Sequence, residues 1–347
     1  MNYSIIIPVY NRPDEVDELL DSLTRQAFTD FEVLIVEDGS KVTCSDVCAK
    51  YSDKLTLHYF LKENSGPGQS RNYGAERAQG EYLIILDSDV VLPDGYLKAV
   101  DDELRANPCD AFGGADASHP SFTPVQKAIS YSMTSFFTTG GIRGGKRKLD
   151  KFYPRSYNMG IRREVYLALG GFSKMRFGED IDFSYRIIEA GNSSRLFPEA
   201  WVWHKRRTDF CKFFRQVYNS GIARINLEKR HPGTMKLVHL LPLVFTLGVI
   251  GLILISAMGR ALMYWDSQNF WIWYKVCVLP WIPIVLYSAL IVIDSARANK
   301  SIKIGALSVA AAFVQLMGYG FGFLEAWWKR CVCKKDEFQA FEKTFYK

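Results

Sequence analysis

Two carboxylates one residue apart, Asp87 and Asp89, end the apolar run Tyr82-Leu83-Ile84-Ile85-Leu86 and hold the most chemical potential in this chain of 347 residues. On an extended backbone, side chains two positions apart project to the same side, about 7 Å from one another. Both can therefore face one polyanionic ligand and its divalent cation. Hard cations take oxygen ligands, and Mg²⁺ or Mn²⁺ commonly bridges carboxylates to phosphates. An Asp-rich turn after a buried strand would spell the same letters, and Pro93 and Gly95 follow to close the element. A second acidic group, Gly178-Glu179-Asp180-Ile181-Asp182, opens a helical pattern. Acids in a first helical turn are also favoured by the backbone dipole, so this group has a purely structural reading too. His204 stands between Trp203 and the basic run Lys205-Arg206-Arg207. A histidine beside tryptophans is as often packed as it is a ligand.

The elements that must position these groups are legible as apolar runs. Ser4-Ile5-Ile6-Ile7-Pro8-Val9-Tyr10 is a buried strand, and Asn11-Arg12-Pro13-Asp14 then starts a helix to about Gln26. Glu32-Val33-Leu34-Ile35-Val36 is a second strand that runs into Glu37-Asp38-Gly39-Ser40, and Leu55-Thr56-Leu57-His58-Tyr59 is a third. The loop Asn64-Ser65-Gly66-Pro67-Gly68 leads into a helix carrying Arg71 and Asn72, and the run before Asp87 is the fourth strand. Strands alternating with helices imply a mostly parallel α/β sheet, in which ligands sit beyond the carboxyl ends of the strands. Tyr10, Asp38, Arg71, Asp87 and Asp89 all follow strand ends or lie in the loops beside them. Singly they read as a rim aromatic, a turn residue, a solvated helix charge and a polar turn; together they converge on one sheet edge.

Composition divides the chain. With 48% apolar and 14% aromatic residues there is material for two cores, and the apolar share is concentrated late in the sequence. A catalytic-type α/β domain over residues 1–232 and a membrane domain over 237–328 are expected, followed by a basic tail at 329–347. Residues 237–258 contain no charge and are long enough to span hydrocarbon. Residues 271–293 form a second span, kinked at Pro280 and Pro283. Residues 304–328 form a third, weaker segment with several glycines, Gln315 and Glu325, either crossing or re-entrant. Before them, Phe210, Phe213, Phe214, Val217, Gly221 and Ile225 recur at helical spacing among Lys212, Arg215, Arg224 and Lys229, as in an interfacial amphipathic helix over 209–231. The glycine-rich basic stretch 140–148 reads as a mobile loop able to close over substrate or grip a phosphate.

The net charge of +6 lies largely beside the apolar segments, which points to membrane lipids and anionic phosphates; no nucleic-acid-binding signature is present. Seven cysteines without a CxxC pair fit a reduced compartment, and the N-terminus shows no cleavable signal peptide. Loop charges place the first inter-span loop outside and the second, with Arg297, Lys300 and Lys303, inside. Three full crossings would then put Lys329, Arg330, Lys334 and Lys335 outside, against the same rule.

Taken in order, these pieces resemble glycosyltransferase family 2, the inverting nucleotide-sugar transferases with a Rossmann-like GT-A domain. The resemblance is carried by Ser4-Ile5-Ile6-Ile7-Pro8-Val9-Tyr10-Asn11, Val36-Glu37-Asp38-Gly39-Ser40, Gly66-Pro67-Gly68-Gln69-Ser70-Arg71-Asn72 and Leu86-Asp87-Ser88-Asp89. It continues through Asn158-Met159-Gly160, Gly170-Gly171-Phe172 and Gly178-Glu179-Asp180-Ile181-Asp182. It implies that Tyr10 stacks on the nucleotide base near Pro8 while Asp38 and Arg71 bond the base's polar edge. Asp87 would hold the ribose side, with Ser88 in the same donor loop, and Asp89 and His204 would hold Mn²⁺ or Mg²⁺. Lys205, Arg206 and Arg207, beside His204, read either as diphosphate contacts or as a basic belt against anionic lipid headgroups. Asp180 would be the general base, with Glu179 and Asp182 shaping and supporting the acceptor pocket.

The same resemblance implies a nucleotide-sugar donor of the UDP type and a lipid-linked or cell-envelope glycan acceptor. It implies an integral protein of an inner or cytoplasmic membrane with its catalytic domain in the cytoplasm. Two other functions remain open: a polyprenyl-phosphate glycosyltransferase, whose anionic nucleophile needs no base, and a non-catalytic nucleotide-sensing membrane protein, which would be expected to lose the acidic residues. A processive synthase is disfavoured because no QxxRW sequence follows the acidic motif.

Overall fold

The structure is a computed structural model that describes residues 1–117, 119, 121–139, 152–175 and 177–341. The stretch 140–148 read above as a substrate-closing loop lies outside the described residues. In chain order the elements are β1 (Tyr3–Val9), α1 (Pro13–Thr24), β2 (Phe31–Asp38), α2 (Ser45–Ala49), β3 (Leu57–Lys62), α3 (Pro67–Arg77), β4 (Tyr82–Leu86), β5 (Val90–Val91) and α4 (Tyr96–Ala106). They continue with β6 (Ala111–Gly113), β7 (Asp116–Ala117), α5 (Pro124–Thr134), α6 (Phe136–Thr139), β8 (Asn158–Arg162), α7 (Arg163–Ala168), α8 (Glu179–Glu189), β9 (Ser194–Leu196) and β10 (Val202–His204). The remaining helices are α9 (Phe210–Arg230), α10 (Leu241–Trp265), α11 (Phe270–Val278), α12 (Ile282–Asn299) and α13 (Ile302–Trp327).

These elements form two compact units, one of Met1–Pro120 with Gly144–Lys205 and one of Ser121–Arg143 with Arg206–Lys347. The border falls at Lys205 and not at 232, because α9 belongs with the apolar helices.

In the first unit a seven-stranded sheet has the order β3-β2-β1-β4-β8-β6-β9. Strands β1 to β4 run parallel, as their helical crossovers require, while β8 pairs antiparallel with both β4 and β6. Both sheet faces are covered, which is why these strands read as continuous apolar runs rather than alternating ones. Ile5, Ile7 and Val9 pack with Val16 and Leu19 of α1 on one side. On the other side Ile6, Leu34 and Ile85 pack with Ala75 of α3, Phe172, and Phe183 of α8. A second sheet of three short strands, in the order β5-β10-β7, completes the unit.

In the second unit three helical segments, Leu237–Trp265, Ser267–Asn299 and Ile302–Val332, are long and apolar enough to cross a membrane. The middle one changes character at Pro280, between α11 and α12, as proline in a helical run requires. The third is the least apolar, with a hydropathy of 1.6 against 2.5 for each of the others, and 44% of its window is buried against 11% and 6%. Its small and polar residues are thus spent on protein contacts. Gly221 of α9 meets α13 so closely that a Cβ there would lie 2.1 Å from the Tyr319 carbonyl oxygen, and Gly322 approaches the Tyr218 carbonyl in the same way. Small residues permit such backbone approach between helices. Tyr218 donates to Glu325 at 2.6 Å, which accounts for an acid inside α13. The amphipathic pattern of 209–231 therefore buries its apolar stripe on α13.

Candidate functional site

Asp87 and Asp89 leave the carboxyl end of β4, where the sheet delivers them beside residues from distant parts of the sequence. Residue pairing in the small sheet sets His204 opposite Val90, so the end of β10 lies next to the turn that holds Asp89. The Lys205 amide donates to the Asp89 carbonyl at 3.0 Å and fixes that register. As a result His204 Nε2 lies 3.3 Å from Asp89 Oδ1, and Asp87, Asp89 and His204 each offer one ligand atom within 4.8 Å of the others. Glu15, at the start of α1, adds further negative charge: burial and the nearby Asp89 push its carboxyl above the ordinary range.

His204 has two supports that the sequence did not reveal. Tyr157 stacks on its ring with centroids 4.8 Å apart and planes at 23°. Asp116, paired with Val202 across β7 and β10, places Oδ2 3.8 Å from His204 Nδ1, and the Tyr157 hydroxyl donates to its other oxygen at 3.5 Å. A carboxylate beside the second imidazole nitrogen is the arrangement by which metal-ligating histidines are oriented.

Arg71 joins this group to the acidic helix. It is buried on α3 and donates to Asp87 at 2.7 Å and to Glu179 at 3.2 Å, with Phe172 against its guanidinium at 5.1 Å. Neighbouring Asn72 donates to the Phe172 carbonyl at 2.9 Å and accepts from the Phe172 amide and the Tyr166 hydroxyl, so the Gly170-Gly171-Phe172 turn is stapled to α3. Glu179 begins α8. Burial pushes its carboxyl up to about 7, Arg71 pulls against that shift, and Asp180 adds to it.

Asp180 follows in the same turn. Its Oδ1 accepts from the Ile181 amide at 2.9 Å and its Oδ2 lies 3.5 Å from Arg155 Nη1. The Arg155 backbone is itself fixed: the Ser184 hydroxyl of α8 donates to the Pro154 carbonyl at 2.6 Å, and the Asn158 amide donates to the Arg155 carbonyl at 3.0 Å. Arg155 was invisible in the sequence because it stands in a short irregular segment before β8.

The remaining predicted residues differ in their surroundings. Asp38 ends β2 almost fully buried, and its two oxygens accept from the Ser65 amide, the Gly66 amide (both 2.9 Å) and the Lys62 ammonium. It holds the loop before α3. Gly39 beside it adopts φ +70°, and a Cβ there would lie 2.8 Å from the Asn64 amide nitrogen, so the turn admits only glycine comfortably. Pro8 lies near the end of β1 and Tyr10 just past it, at the carboxyl edge of the sheet; Ser88 lies between the two carboxylates. Asp182 is buried and accepts from Arg186 at 3.1 Å, while Arg186 also donates to the Leu169 and Gly171 carbonyls; this network braces α8. Lys205 is paired with Glu18 at 2.7 Å. Arg206 and Arg207 belong to the second unit.

Comparison with known proteins agrees with this architecture. Residues 4–170 match the family described as Glycosyl transferase family 2. An uncharacterized glycosyltransferase of Haemophilus influenzae is 31% identical over 194 residues, 54% of this chain and 62% of that protein. The poly(ribitol-phosphate) beta-N-acetylglucosaminyltransferase TarS of Staphylococcus aureus is 42% identical over 102 residues, 28% of this chain and 18% of TarS. The chain thus spans less than two thirds of the length of these relatives. Among solved structures, the mannosyltransferase PcManGT of Pyrobaculum calidifontis, in complex with GDP-Man and Mn²⁺, superposes with a TM-score of 0.57 at 15% identity, covering 95% of this chain and 88% of its own. That likeness shows the GT-A fold. Residues 4–170 of the N-terminal unit thus carry the sequence pattern of glycosyltransferase family 2, on a GT-A fold.

Proposed function

We propose that this protein is a membrane-anchored, inverting glycosyltransferase that moves a sugar from a nucleotide-diphosphate donor, of the UDP type, to a hydroxyl of a lipid-linked or cell-envelope glycan. The observation that carries the reading is Arg71. One buried guanidinium bonds both Asp87, on the donor side, and Glu179, next to Asp180, so the two carboxylate groups are neighbours in one site. Two carboxylates and an imidazole suit Mn²⁺ or Mg²⁺, and Asp89 with His204 would hold the ion, Asp87 standing beside them. When bound, such an ion neutralises charge on a departing diphosphate.

The chain's own groups do the rest. Tyr10 and Pro8 offer a flat apolar face to the base at the edge of the sheet, and the backbone loop held by Asp38 shapes the pocket floor. Asp180 accepts the proton of the acceptor hydroxyl as that oxygen attacks the anomeric carbon, the bond to the diphosphate breaks, and the nucleoside diphosphate leaves from the opposite face. Ile181 and Arg155 keep the carboxylate turned for that transfer.

The test is release of nucleoside diphosphate by the full chain in detergent, screened against UDP- and GDP-linked sugars. The expected result is turnover with Mn²⁺ or Mg²⁺ that is lost on chelation and in Asp89→Asn. Nucleotide binding with no turnover on any donor, with or without acceptor glycans, would instead favour a sensing protein.

A further inference from the structure

The third apolar helix, α13, has two possible fates, across the bilayer or along it, and the contacts of the C-terminal tail decide between them. Residues 337–341 lie against α9. The Asn219 side chain donates to the Ala340 carbonyl at 3.1 Å and accepts from the Ala340 amide at 2.9 Å. Asn226 donates to the Phe338 carbonyl at 3.3 Å, and Arg230 binds Glu337 through two nitrogens at 3.0 and 2.8 Å. The Tyr218 and Phe341 rings meet at 5.4 Å. Asn219 and Asn226 are buried beneath the tail. Polar groups shielded in this way need partners, and the tail backbone supplies them to both ends of the Asn219 amide and to the Asn226 side-chain nitrogen.

Helix α9 precedes the first apolar segment and carries Lys212, Arg215, Arg224, Lys229 and Arg230, a load that hydrocarbon does not accept. It therefore stays on the side where the first crossing begins. A chain that leaves this side at α10 and returns to dock on α9 crosses an even number of times. We infer that only α10 and the α11–α12 segment cross the bilayer, and that α13 lies along it, forming with α9 and the tail one interfacial layer on the side of α9. This inference rests on the membrane-anchored reading proposed above.

The remaining contacts of α13 agree. It touches α12 near the latter's C-terminal end, where Ser295 and Ser308 are 2.7 Å apart and Gly305 sits against Val292 and Ala296. It touches α10 near the latter's N-terminal end, where Thr246 donates to the Leu316 carbonyl at 3.3 Å and Gly320 sits against Pro242 and Thr246. A helix spanning beside both would run along their lengths; α13 passes from the end of one to the start of the other. None of its residues from 311 to 326 is exposed, and the exposed ones lie toward its ends, Ile302, Lys303, Ala306 and Ala310, then Trp327. Tryptophan is favoured at the membrane–water boundary. The charge conflict also disappears, because Arg297, Lys300, Lys303, Lys329, Arg330, Lys334 and Lys335 all fall on the side of Lys229 and Lys236.

The tail carries its own reporters, since Cys331 and Cys333 are exposed, as is Cys211 on α9. The full chain with Ser267→Cys, a position between the two crossing segments, is labelled with a membrane-impermeant maleimide in sealed vesicles of each orientation. Labelled cysteines are then identified by peptide mass. The expected result is labelling of Cys331 and Cys333 from the same side as Cys211, with Ser267→Cys labelled only from the other. Labelling of Cys331 and Cys333 from the side of Ser267→Cys overturns the inference and leaves the anchoring intact. Labelling of Ser267→Cys and Cys211 from one side overturns the membrane-crossing reading itself.

Discussion

Arg71→Met removes the one positive charge shared by two carboxylates. Arg71 is 3% exposed, and replacing it leaves Asp87 and Glu179 facing each other without a counter-ion in a site shielded by Phe172. Breaking a buried pair by deleting one partner costs about 3–5 kcal/mol. For a unit of this size that is roughly 2–4 °C of melting temperature per kcal/mol. The cost has a defined pH dependence. In the native protein burial raises the Glu179 carboxyl to about 7, above its ordinary 4.5, so the folded state binds more protons than the unfolded one between those values. The stabilisation from that proton is fully present below the ordinary value and is lost as pH rises through 7. Arg71 holds the folded value down, so the variant's value lies higher still. Above pH 7 the variant therefore binds more protons than the native protein, and its deficit shrinks on acidification by up to about 1.4 kcal/mol per pH unit. Thermal and urea unfolding of the full chain at pH 8.5 and 6.5 measures this directly. The expected deficit is about 3–5 kcal/mol at the higher pH and about 2 kcal/mol less at the lower. Adding Glu179→Gln to the variant should abolish the difference between the two pH values. A deficit below about 1 kcal/mol, or one equal at both pH values, refutes the shared-counter-ion argument.

Two further outcomes probe the chemistry and the metal group. Asp180→Asn should lower turnover by about 10² to 10⁴ while nucleotide affinity stays within a few-fold, by steady-state kinetics beside calorimetric titration; unchanged turnover removes Asp180 from the role of base. Asp116→Ala should weaken Mn²⁺ binding about 10- to 100-fold, followed by calorimetry in the presence of UDP, because His204 loses the carboxylate beside Nδ1; an affinity equal to that of the unaltered protein shows that Asp116 does not orient the imidazole.

What was legible in the sequence follows from how far each signal travels along the chain. Strands β1 to β4 were readable because both faces of the sheet are buried, so each strand is an unbroken apolar run ending at a polar edge. The carboxylates at the end of β4 were readable for the same reason, and those at the start of α8 because acids cluster in its first turn. The sheet β5-β10-β7 was not, since strands of two or three residues carry no periodicity, and nothing in the five residues of β8 marks its antiparallel direction. That small sheet brings Asp116 and His204 to Asp89, so Asp116 and Tyr157 left no trace in any local pattern. Asp38 and Asp182 stand where the sequence set them, but their bonds to backbone amides, to Lys62 and to Arg186 left no mark in the one-letter code. The weak hydropathy of 304–328 was a true signal, and its cause, a helix enclosed by protein, needed the packing of α9 and of the tail to be seen.

The geometry between Asp87 and the Glu179–Asp180 pair is set by core packing more than by loops. Arg71 is carried by α3, Asp87 by the end of β4 and Glu179 by the first turn of α8. Those elements share one core, in which Ala75 of α3, Leu83 and Ile85 of β4 and Phe183 of α8 are all inaccessible to solvent. Packed cores do not deform continuously, so the spacing of the three charged groups is fixed before any ligand arrives. A reaction that needs charge relief on one face of a sugar and a proton acceptor on the other gains from such fixed placement, because the orientation is already supplied by the fold. The same reasoning explains why Arg71 is an arginine. Lysine would present a single point charge, whereas the guanidinium reaches Asp87 through one nitrogen and Glu179 through another and so holds two separate helices and a strand end in one register.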